Sequence, residues 1–194
     1  MTDVSIAAIT QGCPFIESLS IEECNITENG VFSIAENCSL IQTLKLACCK
    51  GATSNSIERI GKGCPSISYL DLSYCSQVSM SSVKKCLNLW PNLKYLSLRG
   101  FQHITNESIE HANLQELNLS WCKNIVDAGV EQIAIGCPNL VNIDLAWANK
   151  ITANSIHKLA QKVPTLRSLN LRGCAKVALL TLKYLSGGNV MIYT

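Results

Sequence analysis

Cysteines are the residues of this 194-residue chain with the widest range of possible chemistry, and there are 11 of them. Thiolates can form disulfides, hold zinc or act as nucleophiles. The odd count disfavours a disulfide framework, and no Cys-x-x-Cys pair offers the close ligands of a structural zinc site. Most cysteines instead keep a constant phase along the chain, which predicts small, buried side chains in equivalent positions of a repeat. We therefore expect no metal site and no cofactor.

Other catalytic groups are also poorly placed. A nucleophilic site needs a Cys or Ser beside a base and an orienting third group. His103 falls in a predicted turn, and His111 and His157 fall on or near predicted helices. The Gly-Gly pair at 187–188 is isolated and makes no nucleotide-binding loop. The sequence predicts no enzyme, although Cys48 occupies a position expected to be exposed and is either a reactive thiol or an ordinary surface cysteine.

The phase of the cysteines is set by a strand motif that occurs seven times. Each copy centres on a Leu-x-Leu-like pair, whose first residue we call the anchor, and successive anchors lie 25, 26, 26, 21, 26 and 26 residues apart. The anchor and the residue two positions later share one face of a strand, and both are aliphatic, so both should face a core. The anchors are Leu19, Leu44, Leu70, Leu96, Leu117, Ile143 and Leu169.

A helix is predicted after most strands. The turn that follows the strand ends in an apolar residue and then a hydroxyl residue suited to cap a helix, at Thr27, Ser79, Thr105 and Thr152. Aliphatic residues then follow at helical spacing, and Gly or Asn with a following Cys-Pro or its equivalent ends most of the segments. One strand and one helix cannot bury both their faces, but a stack of such units can.

Two motifs carry a resemblance to a known family: Cys64-Pro65-x-Ile67-x-x-Leu70-x-Leu72-x-x-Cys75 and Cys137-Pro138-x-Leu140-x-x-Ile143-x-Leu145. They resemble the cysteine-containing leucine-rich repeat of F-box/leucine-rich-repeat proteins and of the antagonist-of-mitotic-exit family. The resemblance extends over nearly the whole chain. It implies an α/β fold, a right-handed leucine-rich-repeat solenoid (a horseshoe) with a parallel β-sheet on its concave face and helices on its convex face.

The repeats predict one solenoid domain over residues 1–194. Residues 1–12 match only the helical half of a repeat, which indicates a fragment or a start in mid-repeat, and 187–194 are a candidate C-terminal cap with a closing strand. The repeat that begins at 90 is five residues short, and because the loss falls in its helix we expect a notch on the helical face. Repeats are predicted to start at 13, 38, 64, 90, 111, 137 and 163.

Composition limits the class of partner. The formal charge is only +2, which predicts neither a nucleic-acid nor a membrane partner. With no signal peptide and no apolar run of about 18 residues, we expect a soluble protein of the cytoplasm, the nucleus or both. Four Asn-x-Ser/Thr sequons are interpreted as turn and strand chemistry rather than as glycosylation sites. They begin at Asn25, Asn37, Asn106 and Asn118.

The outward side chains of the strands and turns form the candidate binding surface. Trp121 and Trp147 occupy the same position of successive repeats, as do Tyr69 and Tyr95, so each pair should lie side by side. Trp, Tyr and Arg dominate binding hot spots, but such rings could equally pack together as part of the scaffold. The predicted partner-binding residues on the concave face are Tyr69, Asp71, Tyr74, Tyr95, Arg99, Trp121, Asp144, Trp147 and Arg172.

Three functions are compatible with these residues. The resemblance to F-box proteins implies a substrate-recognition region of an SCF-type E3 ubiquitin ligase, in which an F-box outside this chain would bind the SCF adaptor. The alternative is a stand-alone scaffold or inhibitor that binds a protein partner without ubiquitin chemistry, as in the antagonist-of-mitotic-exit relatives. A third is an enzyme or redox protein that uses Cys48.

Overall fold

The computed structural model describes residues 1–104, 106, 109–177 and 190–194. They divide into two compact units, Met1–Ser97 and Leu98–Thr194. Each unit stacks short parallel strands, and helices connect most of them. The prediction of one solenoid domain with repeats starting at the seven positions given above stays a prediction.

The first unit alternates four helices with four strands. Its parallel strands pair in chain order, and anchor lies beside anchor, from Leu19 through Leu44 and Leu70 to Leu96. The predicted register is therefore confirmed here. The elements are α1 (Asp3–Gly12), β1 (Ser18–Ser20), α2 (Glu28–Asn37), β2 (Thr43–Lys45), α3 (Ser54–Gly63), β3 (Tyr69–Asp71), α4 (Met80–Leu87) and β4 (Tyr95–Ser97).

The second unit has the same plan. Leu117, Ile143, Leu169 and Ile192 lie side by side in its four parallel strands, and the last strand is the one expected within 187–194. The described residues 98–104, 106 and 109–115 form no helix, and the notch expected from the shortened repeat stays a prediction. The predicted helix break at 187–188 falls outside the described residues. The elements are β5 (Glu116–Asn118), α5 (Asp127–Gly136), β6 (Asn142–Asp144), α6 (Ala153–Lys162), β7 (Ser168–Asn170) and β8 (Met191–Tyr193).

Hydroxyl caps begin most of the helices. Thr27, Ser79 and Thr152 accept backbone N–H groups of the helices that they precede, which confirms three predicted caps. Thr53 caps α3 in the same way, a cap that the sequence analysis missed. The predicted cap Thr105 lies outside the described residues.

A carboxylate at the start of one helix also supports the cap of the next. Asp127 accepts hydrogen bonds from the Thr152 backbone N–H at 2.7 Å and the Thr152 hydroxyl at 2.6 Å. Asp3 does the same for Thr27, at 2.8 and 2.6 Å. These bonds join successive repeats at the edge where the helices begin.

Most cysteines form part of the core, as predicted. Eight of the 11 are buried, and several donate a weak S–H bond to a backbone carbonyl of the preceding repeat. The Cys122 thiol lies 3.2 Å from the Leu98 oxygen, and the Cys137 thiol lies 3.1 Å from the Ile109 oxygen. Burial raises the pKa of Cys64 and Cys122 to about 12, so these thiols stay protonated and unreactive.

Two cysteines in phase with the repeat depart from this prediction. Cys13 is exposed and Cys24 is half-buried. They follow α1 and β1, the first helix and strand of the described residues, whereas the Cys38 thiol lies against the Thr10 carbonyl of the helix before it. Position in the stack, rather than phase alone, decides whether a thiol is buried.

Candidate partner-binding surface

The side chains that flank each anchor lie on the sheet face opposite to the core. In β3, Leu70 is fully buried, whereas Tyr69 and Asp71 are only partly covered. Successive side chains of a strand point to opposite faces, so these two point away from the helices. We call this the strand face of each unit.

Tyr69 and Tyr95 meet on the strand face of the first unit, as predicted. Their rings stack with centroids 3.9 Å apart and planes 1° from parallel, because β3 and β4 pair these residues in register. The Lys45 ammonium lies 5.5 Å from the centre of the Tyr69 ring, on the neighbouring strand. Burial, with a smaller effect of the Tyr95 hydroxyl, raises the pKa of Tyr69, so the Tyr69 ring stays neutral at physiological pH. We call Lys45, Tyr69 and Tyr95 the tyrosine patch.

Trp121 and Trp147 meet in the second unit, also as predicted. Their rings are stacked with centroids 5.0 Å apart and planes at 21°. Trp147 keeps 38% of its surface exposed, and Trp121 is half-buried. The Trp147 ring lies against Gly173, where a Cβ atom would come within 2.6 Å of the Trp147 Cδ2 atom. The pair is therefore packed on the scaffold and open to solvent at the same time.

A left-handed backbone conformation at one position of every repeat projects these tryptophans, and the sequence analysis missed it. The residue four positions after each of the seven anchors has φ between +56° and +76°. Only Gly adopts this conformation without cost, so the five side chains in the row each carry about 1 kcal/mol or more of strain. In the sequence, only Gly100 and Gly173 indicate this conformation. The row is Glu23, Cys48, Tyr74, Gly100, Trp121, Trp147 and Gly173.

Asp71 and Asp144, both predicted to bind the partner, have a structural role in the same turns. The Asp71 Oδ1 atom accepts the Ser73 N–H at 2.8 Å, and the Asp144 Oδ1 atom accepts the Ala146 N–H at 2.9 Å. Asn118 makes the equivalent bond in its own turn. This local bond from an Asp or Asn to the backbone two residues later stabilises a tight turn. Partner binding by the two carboxylates stays a prediction.

The other predicted residues are accessible to solvent. Tyr74, in the first unit, is 46% exposed, and Arg99 and Arg172, in the second, are exposed. Four of the nine predicted residues thus belong to the first unit and five to the second. Cys48 is also exposed, in the left-handed row of the first unit.

The described residues have few groups for metal or membrane chemistry. Within 1–104, 106, 109–177 and 190–194, no cluster of three or more His, Cys, Asp or Glu side chains is arranged to hold a metal ion. No helix in the same ranges is long and apolar enough to cross a membrane. Accessible features of these residues include aromatic side chains with cations beside them, which suit the recognition of another macromolecule.

Comparisons with known proteins agree with the architecture. A family model described as "Leucine Rich repeat" matches residues 12–35 and 110–134. No curated protein matches the chain. A chain from the crystal structure of the yeast Rad7 and Elc1 complex is similar, with a TM-score of 0.73 and 16% identity, over 96% of this chain and 50% of that one. At that identity the likeness shows the fold, and this chain spans about half the length of the similar one. The fold is therefore the α/β solenoid of leucine-rich-repeat proteins.

Proposed function

We propose that this leucine-rich-repeat chain, a protein–protein interaction module, is the substrate-recognition region of an SCF-type E3 ubiquitin ligase. The binding role is supported by one pair of stacked, accessible aromatic side chains in each unit. The pairs are Tyr69 with Tyr95 and Trp121 with Trp147. A protein substrate would bind through these strand and turn surfaces.

Rigid aromatic side chains make efficient binding surfaces. The tyrosine rings are fixed by their neighbours before any partner arrives, and Trp147 is held against the backbone at Gly173. Binding would therefore cost little additional side-chain entropy, while the rings supply apolar contact area. Lys45 and Lys123 lie beside these rings and add charges that orient a partner.

A family resemblance supports the ligase assignment, and a similar structure supports the binding of a protein partner. The repeats resemble those of F-box/leucine-rich-repeat proteins, whose repeats hold the protein to be ubiquitinated. The similar solved chain comes from a complex of two proteins, Rad7 and Elc1. In this proposal the F-box and the contacts with the SCF adaptor belong to residues outside this chain, and the complex acts in the cytoplasm, the nucleus or both without a nucleic-acid or membrane partner.

The alternative is a stand-alone scaffold or inhibitor that binds its partner without ubiquitin chemistry. It needs only the repeat elements from α1 at Asp3 to β7 at Asn170 and the aromatic pairs that they carry. Both functions use the same binding surfaces, so the fate of the bound protein separates them.

The test combines capture with turnover. The full-length protein is expressed in cells with Tyr69→Ala and Tyr95→Ala together, and Ile135→Ala on α5, which is also exposed and apolar, is the matched control. We expect the SCF adaptor to co-purify with every variant, partners to be lost only from the double tyrosine variant, and the half-life of those partners to lengthen when the protein is depleted. Partners with unchanged half-lives and no adaptor would establish the stand-alone role. If partners bound equally to all variants, the tyrosine patch would not be the binding surface in either of the two functions.

A further inference from the structure

The charged side chains are unevenly distributed, with acids at the beginning of the sequence and bases at its end. Residues 1–44 contain six Asp or Glu residues and no Lys or Arg, which gives a formal charge of −6. Residues 145–194 contain seven Lys or Arg residues and no Asp or Glu, which gives +7. The small net charge of +2 is therefore the sum of an acidic and a basic end.

The first strand, at the acidic end, has an open edge in the described residues. β1 pairs with β2 and with no other described strand. In β2 the Thr43 N–H donates to the Glu17 carbonyl of the repeat before it, and the Ser18 N–H has the same position in β1. Leu19 is half-exposed, whereas every later anchor up to Leu169 is buried. The β1 edge could therefore accept another parallel strand.

The last strand, at the basic end, has the complementary edge. β8 pairs with β7 and with no other described strand. The Met191 N–H donates to the Arg167 carbonyl, so the carbonyl at the same position of β8 is that of Val190. Ile192, in the anchor position of β8, is half-exposed like the first anchor. One strand edge thus offers the N–H group and the other the carbonyl of the bond that joins neighbouring repeats.

Opposite charges occupy equivalent positions at the two ends. Glu17 and Arg167 lie two residues before the anchors of their repeats, and Glu22 and Arg172 lie three residues after them. All four side chains are exposed, and Arg167 keeps its charge although it also donates to two local carbonyls. If β1 of one copy followed β8 of another, each glutamate would be two strand spacings, about 10 Å, from the arginine in the equivalent position. Charges at that distance attract most strongly at low ionic strength.

We propose that the chain associates head to tail with copies of itself, with the β1 edge of one copy on the β8 edge of the next. Leu19 would lie beside Ile192 of the neighbouring copy, and the Ser18 N–H would donate to the Val190 carbonyl, as Met191 does to Arg167 within the chain. Two acidic β1 ends repel each other, so the contact joins unlike ends. Such a contact adds one copy after another and does not stop at a dimer.

Analytical ultracentrifugation of the 194-residue chain tests the proposal, with a reductant present to prevent disulfides through the exposed thiols. At low ionic strength we expect the average mass to rise with concentration beyond that of two chains, and to fall when salt is added. Glu22→Lys and Arg172→Glu should each weaken association about fourfold, the factor for reversing one of two unit charges about 10 Å apart in water. An equimolar mixture of the two variants should restore association, because the exchanged charges attract again.

Glu116→Lys is the matched control, since Glu116 is also an exposed acid on a strand but lies at neither end. It should associate like wild type. A mass of one chain at every concentration, or a limit at two chains, would overturn the proposal. So would a control that weakened association as much as Glu22→Lys, or a mixture that did not restore it.

One further outcome identifies a different occupant of the β1 edge. A labelled peptide with the sequence of residues 165–173 carries the basic strand pattern of β7. If the chain stayed single but bound this peptide, the edge would accept a basic strand of another protein, and self-association would be overturned. Variants of Glu22 and Arg172 leave both aromatic pairs unchanged, so failure of this proposal is distinct from failure of the proposed function.

Discussion

Replacing Asp127 by alanine removes one link between successive repeats. The carboxylate accepts three hydrogen bonds, from the Thr152 N–H at 2.7 Å, the Thr152 hydroxyl at 2.6 Å and the Ser155 hydroxyl at 2.7 Å. A hydrogen bond to a charged group contributes about 1.5–3 kcal/mol, but the Ser155 hydroxyl also lies 3.0 Å from the Thr152 carbonyl and can still donate there. We therefore expect a loss of about 2–3 kcal/mol rather than the sum of three bonds.

Urea denaturation of the whole chain measures this loss, with Glu131→Ala as the control on the same helix. Glu131 pairs with Lys158 at 2.8 Å, but both side chains are partly solvated, so that substitution should cost less than about 1 kcal/mol. If Asp127→Ala cost no more than Glu131→Ala, the bonds between repeats would not stabilise the stack, and the reasoning would be refuted.

The difference in unfolding free energy between wild type and Asp127→Ala should change with pH in a definite direction. Burial raises the pKa of Asp127, but the hydrogen bonds from Thr152 and Ser155 outweigh this, and the net effect lowers the pKa below its ordinary value. The stabilisation is therefore complete above about pH 4, the unfolded value, and is lost as the pH falls through the lower folded value. The free-energy difference between wild type and Asp127→Ala should be constant between about pH 5 and 7 and shrink below about pH 4. A difference that grew on acidification would contradict this assignment.

Three further predictions concern the core and the turns. Leu72→Ala should destabilise the chain by about 2–5 kcal/mol in urea denaturation, because the side chain is fully buried and its loss leaves a cavity. Gly173→Ala should cost roughly 1–3 kcal/mol and shift the tryptophan emission, since φ there is +75° and the new Cβ would meet the Trp147 ring. Iodoacetamide at pH 8 should label Cys13 and Cys48 much faster than the eight buried cysteines, because those eight thiols are inaccessible and burial raises their pKa values. Mass spectrometry of peptides measures the labelling. Equal labelling of all 11 would contradict the buried thiol positions.

The strand register could be predicted from the sequence because it depends on a simple, local pattern. Leu44 and Leu70 lie side by side since the side-chain period of a strand is two and the repeat length is nearly constant. The length of the shortened repeat followed from the same counting, whereas the last strand was expected separately, as a cap within 187–194. The prediction that Cys24 is buried was wrong, because the position of a cysteine within the repeat does not by itself determine whether neighbouring residues cover its thiol.

The conformation of the turns was harder to predict. Glu23 and Trp121 give no local sign of a left-handed backbone, which is imposed by the repeat as a whole and appears in the sequence only as Gly100 and Gly173. The same turns explain why Asp71 bonds to its own backbone. An exposed Asp on a strand can bind a partner or hold a turn, and its residue type does not separate the two roles.

The most direct test of the central claim, that the accessible aromatic pairs are the binding surfaces, is quantitative capture with strand-side and helix-side variants. The chain is used as bait in cell extract in three forms: wild type, Tyr69→Ala with Tyr95→Ala and Trp147→Ala, and the helix-side control Ile135→Ala. Equal unfolding midpoints for the control and wild type, and a folded aromatic variant by circular dichroism, make the forms comparable. We predict that proteins enriched by wild type are retained by the control and reduced at least tenfold by the aromatic variant. Retention by the folded aromatic variant with loss from the Ile135 variant would contradict the account, because partners would then bind through the helices.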